Sequence, residues 1–279
     1  MLRIIRIVIA ATLVVGAVGA LGGSAHAQRA PDMSTLDRGD GISKIAIDAG
    51  LSFVDYPYDL ALRLELYGQY VTRSGFGIYG ALPLSASFGA PSDDEDPVPP
   101  DAVPNDAVSL SNLEVGGLVV LTKSRMLSFV FHGGLSIPTA TDGRDEYATR
   151  FAAVMPRSTD VVNISGDWYA RLGFSPLIYA DKLFLRFDLG LDIAFEDIDP
   201  HVLRFNLGGG VDLGPVALSL ELANSVSFFD DNEDFLDVLA LTVRFMGERL
   251  QPYIAVGAPL DDTRDDIQLF IAGGIQFVP

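Results

Sequence analysis

From about residue 43 to its end, this chain alternates apolar side chains with polar or small ones, one residue at a time. Leu183, Leu185, Phe187, Leu189, Leu191, Ile193 and Phe195 alternate with Phe184, Arg186, Asp188, Gly190, Asp192 and Ala194. Leu60, Leu62, Leu64 and Leu66 interleave with Ala61, Arg63, Glu65 and Tyr67, and Ile267 to Phe277 repeats the rule. A β-strand sends successive side chains to opposite faces, so each segment has one apolar face and one polar or small face. Twelve segments follow the rule: 43–54, 59–72, 76–88, 110–122, 126–137, 164–175, 183–195, 202–213, 216–228, 236–246, 251–259 and 266–278.

Soluble sandwiches also alternate, but they use shorter strands and turn the apolar face inward. Segments of about 10–14 residues suit a tilted bilayer crossing, in which lipid takes the apolar face and the interior takes the polar one. In hydrocarbon every backbone group has to be paired, so such a sheet has to close. Mean hydropathy agrees: it is +0.30 although 20% of residues are charged. Beyond residue 27 no continuous apolar run approaches the length of a membrane helix.

The connections form a second pattern. Arg73–Gly75, Lys123–Arg125, Gly214–Pro215 and Gly247–Arg249 are tight, and 176–182 is somewhat longer. The opposite parity carries the long stretches 89–109 and 138–163 and the acidic loops Asp230–Asp234 and Asp261–Asp266; Asp55–Tyr58 is its short member. Short turns on one side and longer loops on the other are the signature of a barrel in a Gram-negative outer membrane. Prolines at strand ends agree with this division, whereas Pro83 falls inside the third strand and predicts either a bulge there or a different strand boundary. The predicted fold is an all-β, transmembrane, antiparallel up-and-down β-barrel of about 12 strands, with ten and fourteen as neighbouring alternatives.

Residues 1–27 read as a cleaved signal peptide: Arg3 and Arg6, an apolar run from Ile7 to Leu21, then Ala25-His26-Ala27. Residues 28–41 are expected to form a periplasmic N-terminal leader, a small plug being the lesser alternative, and 42–279 the outer-membrane barrel. The chain contains no Cys, so its closure relies on backbone pairing and burial. Its net charge of -18 excludes a basic footprint for nucleic acid.

On these strands the chain resembles bacterial outer-membrane β-barrel proteins as a broad class. Members of the class end in an aromatic-terminated strand that resembles a signal for the barrel assembly machinery. Ile271, Gly273, Ile275 and Phe277 fit that pattern, although Val278 and Pro279 follow. No room is left for a C-terminal peptidoglycan-binding domain. The resemblance implies an outer-membrane location, with outer-membrane lipids, lipopolysaccharide, the assembly machinery and small solutes as partners.

The same register predicts the inward charges. Lys44, Asp48, Arg63, Glu65, Glu114, Arg171, Arg186, Asp188, Asp192, Arg204, Glu221 and Arg244 are the pore-lining candidates, with His132 and Asp212 on the same face. They read either as a lining that selects solutes or as salt-bridged struts that fill the lumen. Small inward residues, among them Gly50, Ser52, Gly190, Gly208 and Ser225, favour a water-filled path unless a loop folds in. The expected function is a narrow, diffusion-type channel for small solutes with acidic extracellular loops. A structural or surface-interaction barrel with a filled lumen is the alternative, and a barrel lipid hydrolase comes third.

Asp93, Asp94, Asp96, Asp231 and Asp234 supply hard oxygen ligands as weak divalent-cation candidates, but without EF-hand spacing. His132, on one face with Ser128 and Ser136, suggests a Ser–His pair, and His201 lies near Asp199. Neither amounts to a catalytic constellation, and no cofactor motif is present. Trp168, Tyr169, Phe174, Tyr179, Tyr253 and Phe277 are expected to form aromatic girdles near the strand ends.

Overall fold

The computed structural model describes residues 31–36, 39–55, 59–89, 106–196, 200–229 and 232–279. The predicted signal peptide at 1–27 lies outside them. The strands are β1 (Lys44–Val54), β2 (Leu60–Val71), β3 (Phe76–Phe88), β4 (Val108–Leu110), β5 (Leu113–Ser124), β6 (Leu127–Ile137) and β7 (Tyr169–Ala180). They continue as β8 (Leu183–Ala194), β9 (His201–Asp212), β10 (Val216–Phe229), β11 (Asn232–Phe245), β12 (Leu250–Pro259) and β13 (Ile267–Phe277). Each strand pairs antiparallel with its neighbours, β1 with β13 and β2 with β3 included, so the sheet closes and has no free edge. β4 and β5 share one place in the wall, so it is a barrel of 12 strands.

The alternation sorts the faces as the sequence requires. Along β8, Leu183 (61% exposed), Leu185, Phe187 and Leu189 point outward while Arg186, Asp188 (0%) and Asp192 are buried. Ile47, Leu51, Leu64, Leu220, Leu241, Ile254 and Ile271 continue this exposed apolar surface around the wall. A surface this apolar, on a barrel whose strand arginines lie inside, is matched to hydrocarbon.

Local deviations have local causes. The seventh strand runs from Tyr169 to Ala180 rather than over 164–175, because Pro176 sits within it instead of ending it. The turn is then the pair Asp181-Lys182, with Asp181 at φ 58, a left-handed conformation that Asp tolerates in hairpins. The bulge predicted at Pro83 lies opposite it. Ala81 pairs with Glu114 and Leu84 with Leu110, so three steps along β3 span four on the partner, where β4 gives way to β5. The Asp230–Asp234 loop is shorter than predicted, since β11 already begins at Asn232.

The interior is where the structure departs furthest from expectation. Described residues of the predicted periplasmic leader do not trail away from the barrel. Asp32, Met33, Ser34, Thr35, Leu36 and Asp40 are buried inside it. The connection between β6 and β7 also folds inward, through α1 (Arg144–Ala152) and a kinked 3-10 segment, Met155–Ile164, nearly all of it buried. Small wall residues receive these insertions. A β-carbon on Gly50 would lie 2.4 Å from Pro156, and one on Gly208 would lie 2.1 Å from the Met33 sulfur. The small inward residues thus make room for chain rather than for an open water path.

Candidate functional site

All twelve predicted lining residues are buried inside the barrel, from Asp48 at the margin of burial to Arg204, which is fully enclosed. Several pair with one another, and the partner shared most widely comes from outside the strands. Asp160, on the 3-10 segment, receives Arg63 at 3.1 Å, Arg157 at 3.4 Å and Arg171 at 3.2 Å. Arg171 also pairs with Glu114 and, at 3.1 Å, with Asp192, which in turn holds Arg204 at 2.9 Å. Arg63 pairs with Glu65 at 2.6 Å and Arg186 with Asp188 at 2.7 Å. Asn163 extends the cluster, donating to Glu114 and accepting from Ser136. A low-dielectric interior demands such pairing, because a lone buried charge costs several kcal/mol.

A second set of contacts grips the N-terminal segment. Glu221 accepts hydrogen bonds from the Ser34 hydroxyl (3.2 Å), the Thr35 amide (2.8 Å) and the Thr35 hydroxyl (2.8 Å), with Ser219 donating to its other oxygen. Arg157 donates to the carbonyls of Ser34 and Leu36, and Arg244 to that of Asp32. Lys44 bridges Asp32 (3.0 Å) and Asp40 (2.9 Å), and Gln69 donates to Asp40 as well. Met33 and Leu36 add apolar packing. Asp32, Ser34, Thr35, Asp40, Arg157 and Asp160 escape sequence reasoning because they sit in segments without periodicity. The one available hint is the length of the 138–163 insertion.

Residual space differs between the two ends. Around the plug lie small cavities of about 30 and 10 Å³, the first between Tyr67, Tyr79, His132 and the Asp160 cluster, the second beside Asp32 and Tyr179. On the loop side the barrel opens into a vestibule of about 970 Å³. Tyr147 and Phe151 of α1 and Val161, Val162 and Ile164 of the 3-10 segment line it, with Tyr169, Val202, Ser225 and Leu236 from the wall. Asp167, Asp261 and Asp262 complete the lining. Burial pushes the Tyr147 phenol above its ordinary pKa, with Arg150 opposing the shift, so it stays neutral at physiological pH.

Asp93, Asp94, Asp96 and Asp231 lie outside the described residues, Asp234 is in β11, and no metal-ligating group of three occurs among the described residues. The Ser136 hydroxyl donates to Asn163 and the Ser128 hydroxyl to Thr122, while His132 packs edge-on against Tyr79 at 6.2 Å. His201 begins β9, accepts a hydrogen bond from the Ala194 amide and meets Phe228. Of the predicted girdle, Trp168 and Phe277 are exposed and Phe174 stacks outside with Phe129 and Phe131. Tyr169, Tyr179 and Tyr253 point inward instead, since alternation places them on the faces of Arg171, Leu177 and Gln251.

Neither a protein-family model nor a curated protein sequence matches the chain. Solved structures do. An outer-membrane channel from Pseudomonas putida F1 is similar at 12% identity and a TM-score of 0.59, over 92% of this chain and 100% of that one. The KdgM porin, alone and in complex with disordered oligogalacturonate, is similar at 12% identity and a TM-score of 0.50, over 84% of this chain and 99% of those. The closed wall, its apolar exterior and these likenesses define a porin-like β-barrel with the fold of bacterial outer-membrane proteins.

Proposed function

We propose that this protein is an outer-membrane channel for small hydrophilic solutes whose resting lumen is closed by its own N-terminal segment and inward-folded loop. The supporting observation is the way residues 32–36 are held: largely by hydrogen bonds donated to Glu221 and received from Arg157, Arg244 and Lys44. Water can replace such contacts when the segment withdraws, because the charged partners then line a wet passage instead of a dry one. A barrel filled only for strength would be served as well or better by apolar packing. The inward charges that face the N-terminal segment become the lining of the open route, and the acidic vestibule favours cations at its mouth. The exposed apolar wall has lipid and lipopolysaccharide as neighbours, and the C-terminal strand is presented to the assembly machinery.

A tether provides the test. The Ser34 hydroxyl lies 2.7 Å from that of Thr242, and the chain has no cysteine of its own. In planar bilayers the Ser34→Cys, Thr242→Cys double variant is expected to be silent when oxidised and to show discrete openings when reduced. Silence of both the reduced variant and the wild type favours the alternative of a permanently filled structural or surface-interaction barrel.

A further inference from the structure

We infer that the loop-side vestibule is a binding site for a small organic cation that carries an apolar, preferably aromatic, body. Its volume of about 970 Å³ is at the upper end of the range that small-molecule sites occupy. The lining has the mixture such a ligand needs. Tyr147, Phe151 and Tyr169 present aromatic rings, and Val161, Val162, Ile164, Val202 and Leu236 supply aliphatic surface. Every charged residue in the lining is acidic: Asp167, Asp261 and Asp262.

Arg150 does not itself line the cavity. Arg150 approaches the Tyr147 ring at 5.9 Å, but its guanidinium is committed to the Ile164 carbonyl, the Thr141 carbonyl and the Ser109 hydroxyl. That commitment fixes α1 against the 3-10 segment, so the aromatic and aliphatic parts of the lining are held in place before any ligand arrives. Aromatic faces attract a cation, carboxylates attract it at longer range, and an apolar body gains from leaving water. An anion would meet three carboxylates, and a neutral ligand would forgo both electrostatic terms. Ser225 marks the polar contact. It is 4% exposed and lines the cavity. A hydroxyl can both donate and accept, so Ser225 can meet a polar atom of the ligand.

Trp168, the sole tryptophan, follows Asp167 directly and provides the readout. Benzyltrimethylammonium titrated into the detergent-solubilised full-length protein should change its fluorescence saturably, with a matching heat in calorimetry. Benzyl alcohol and phenylacetate, which share the ring but not the positive charge, should bind about tenfold more weakly or worse. In the Asp167→Asn, Asp262→Asn double variant the cation should lose roughly fivefold in affinity, while benzyl alcohol is unchanged. Heat-modifiable electrophoretic mobility confirms that the variant barrel is folded. Equal affinity for all three probes, absence of saturable heat with the cation, or an unaltered cation affinity in the folded variant would each overturn the inference. Conduction is read separately through the tethered variant, so either proposal can fail while the other stands.

Discussion

Two pieces of chain fill this barrel, and they are held differently. The 3-10 segment Met155–Ile164 is tied to the wall at both ends by β6 and β7, and its Asp160 is the shared partner of Arg63, Arg157 and Arg171. Residues 31–36 precede β1 in the chain, and a charge contact among them is Asp32 with Lys44. The rest of their hold consists of backbone and hydroxyl groups bonded to Glu221, Arg157 and Arg244. Removing one charge from a buried ionic cluster strands its partners, whereas withdrawing backbone groups into water leaves nothing stranded. On the proposed function, the first insertion is the one that stays and the second the one suited to move.

The sharpest way to break that contrast is Asp160→Asn. It deprives three buried arginines of a common counter-charge and should lower unfolding stability by about 3–5 kcal/mol, read from denaturant unfolding in lipid vesicles. A change under about 1 kcal/mol would mean that this segment is no better anchored than the N-terminal one. Glu221→Gln should act on the other insertion. Loss of the charged acceptor for Ser34 and Thr35 should cost roughly 1.5–3 kcal/mol of the segment's hold, and bilayer recordings should show more frequent opening with the wall intact. Smaller still is Gly208→Ala. Its added methyl presses on the ends of Met33 and Leu36, which can shift, so the cost should be about 1 kcal/mol and the increase in opening slight. If Gly208→Ala outweighed Glu221→Gln, apolar packing rather than hydrogen bonding would hold the segment.

Much of the wall is legible in the residues themselves. Alternation in β8 assigns Leu185 to lipid and Asp188 to the interior, and both lie there. The parity of short and long connections holds, and the Pro83 irregularity is present opposite that residue. Where the pattern weakens, so does its reach. Pro176 has the look of a strand end, yet β7 runs through it to Ala180, and that extension is what turns Tyr179 inward. The vestibule and the plug are not legible, since Tyr147, Val162 and Ser34 belong to segments with neither strand nor helix periodicity.

By itself the sequence determined a closed sheet, the face each strand turns to lipid, and the twelve charges that must lie within. Those follow from local rules: a two-residue side-chain repeat, and the need to pair every backbone group in hydrocarbon. What occupies the interior was decided by tertiary structure alone. Gly208 and Gly50 read as empty space along a strand, and only the folded chain shows Met33 and Pro156 seated over them. Long-range contacts of that kind depend on shape and counter-charge meeting across the lumen, and no periodicity records them.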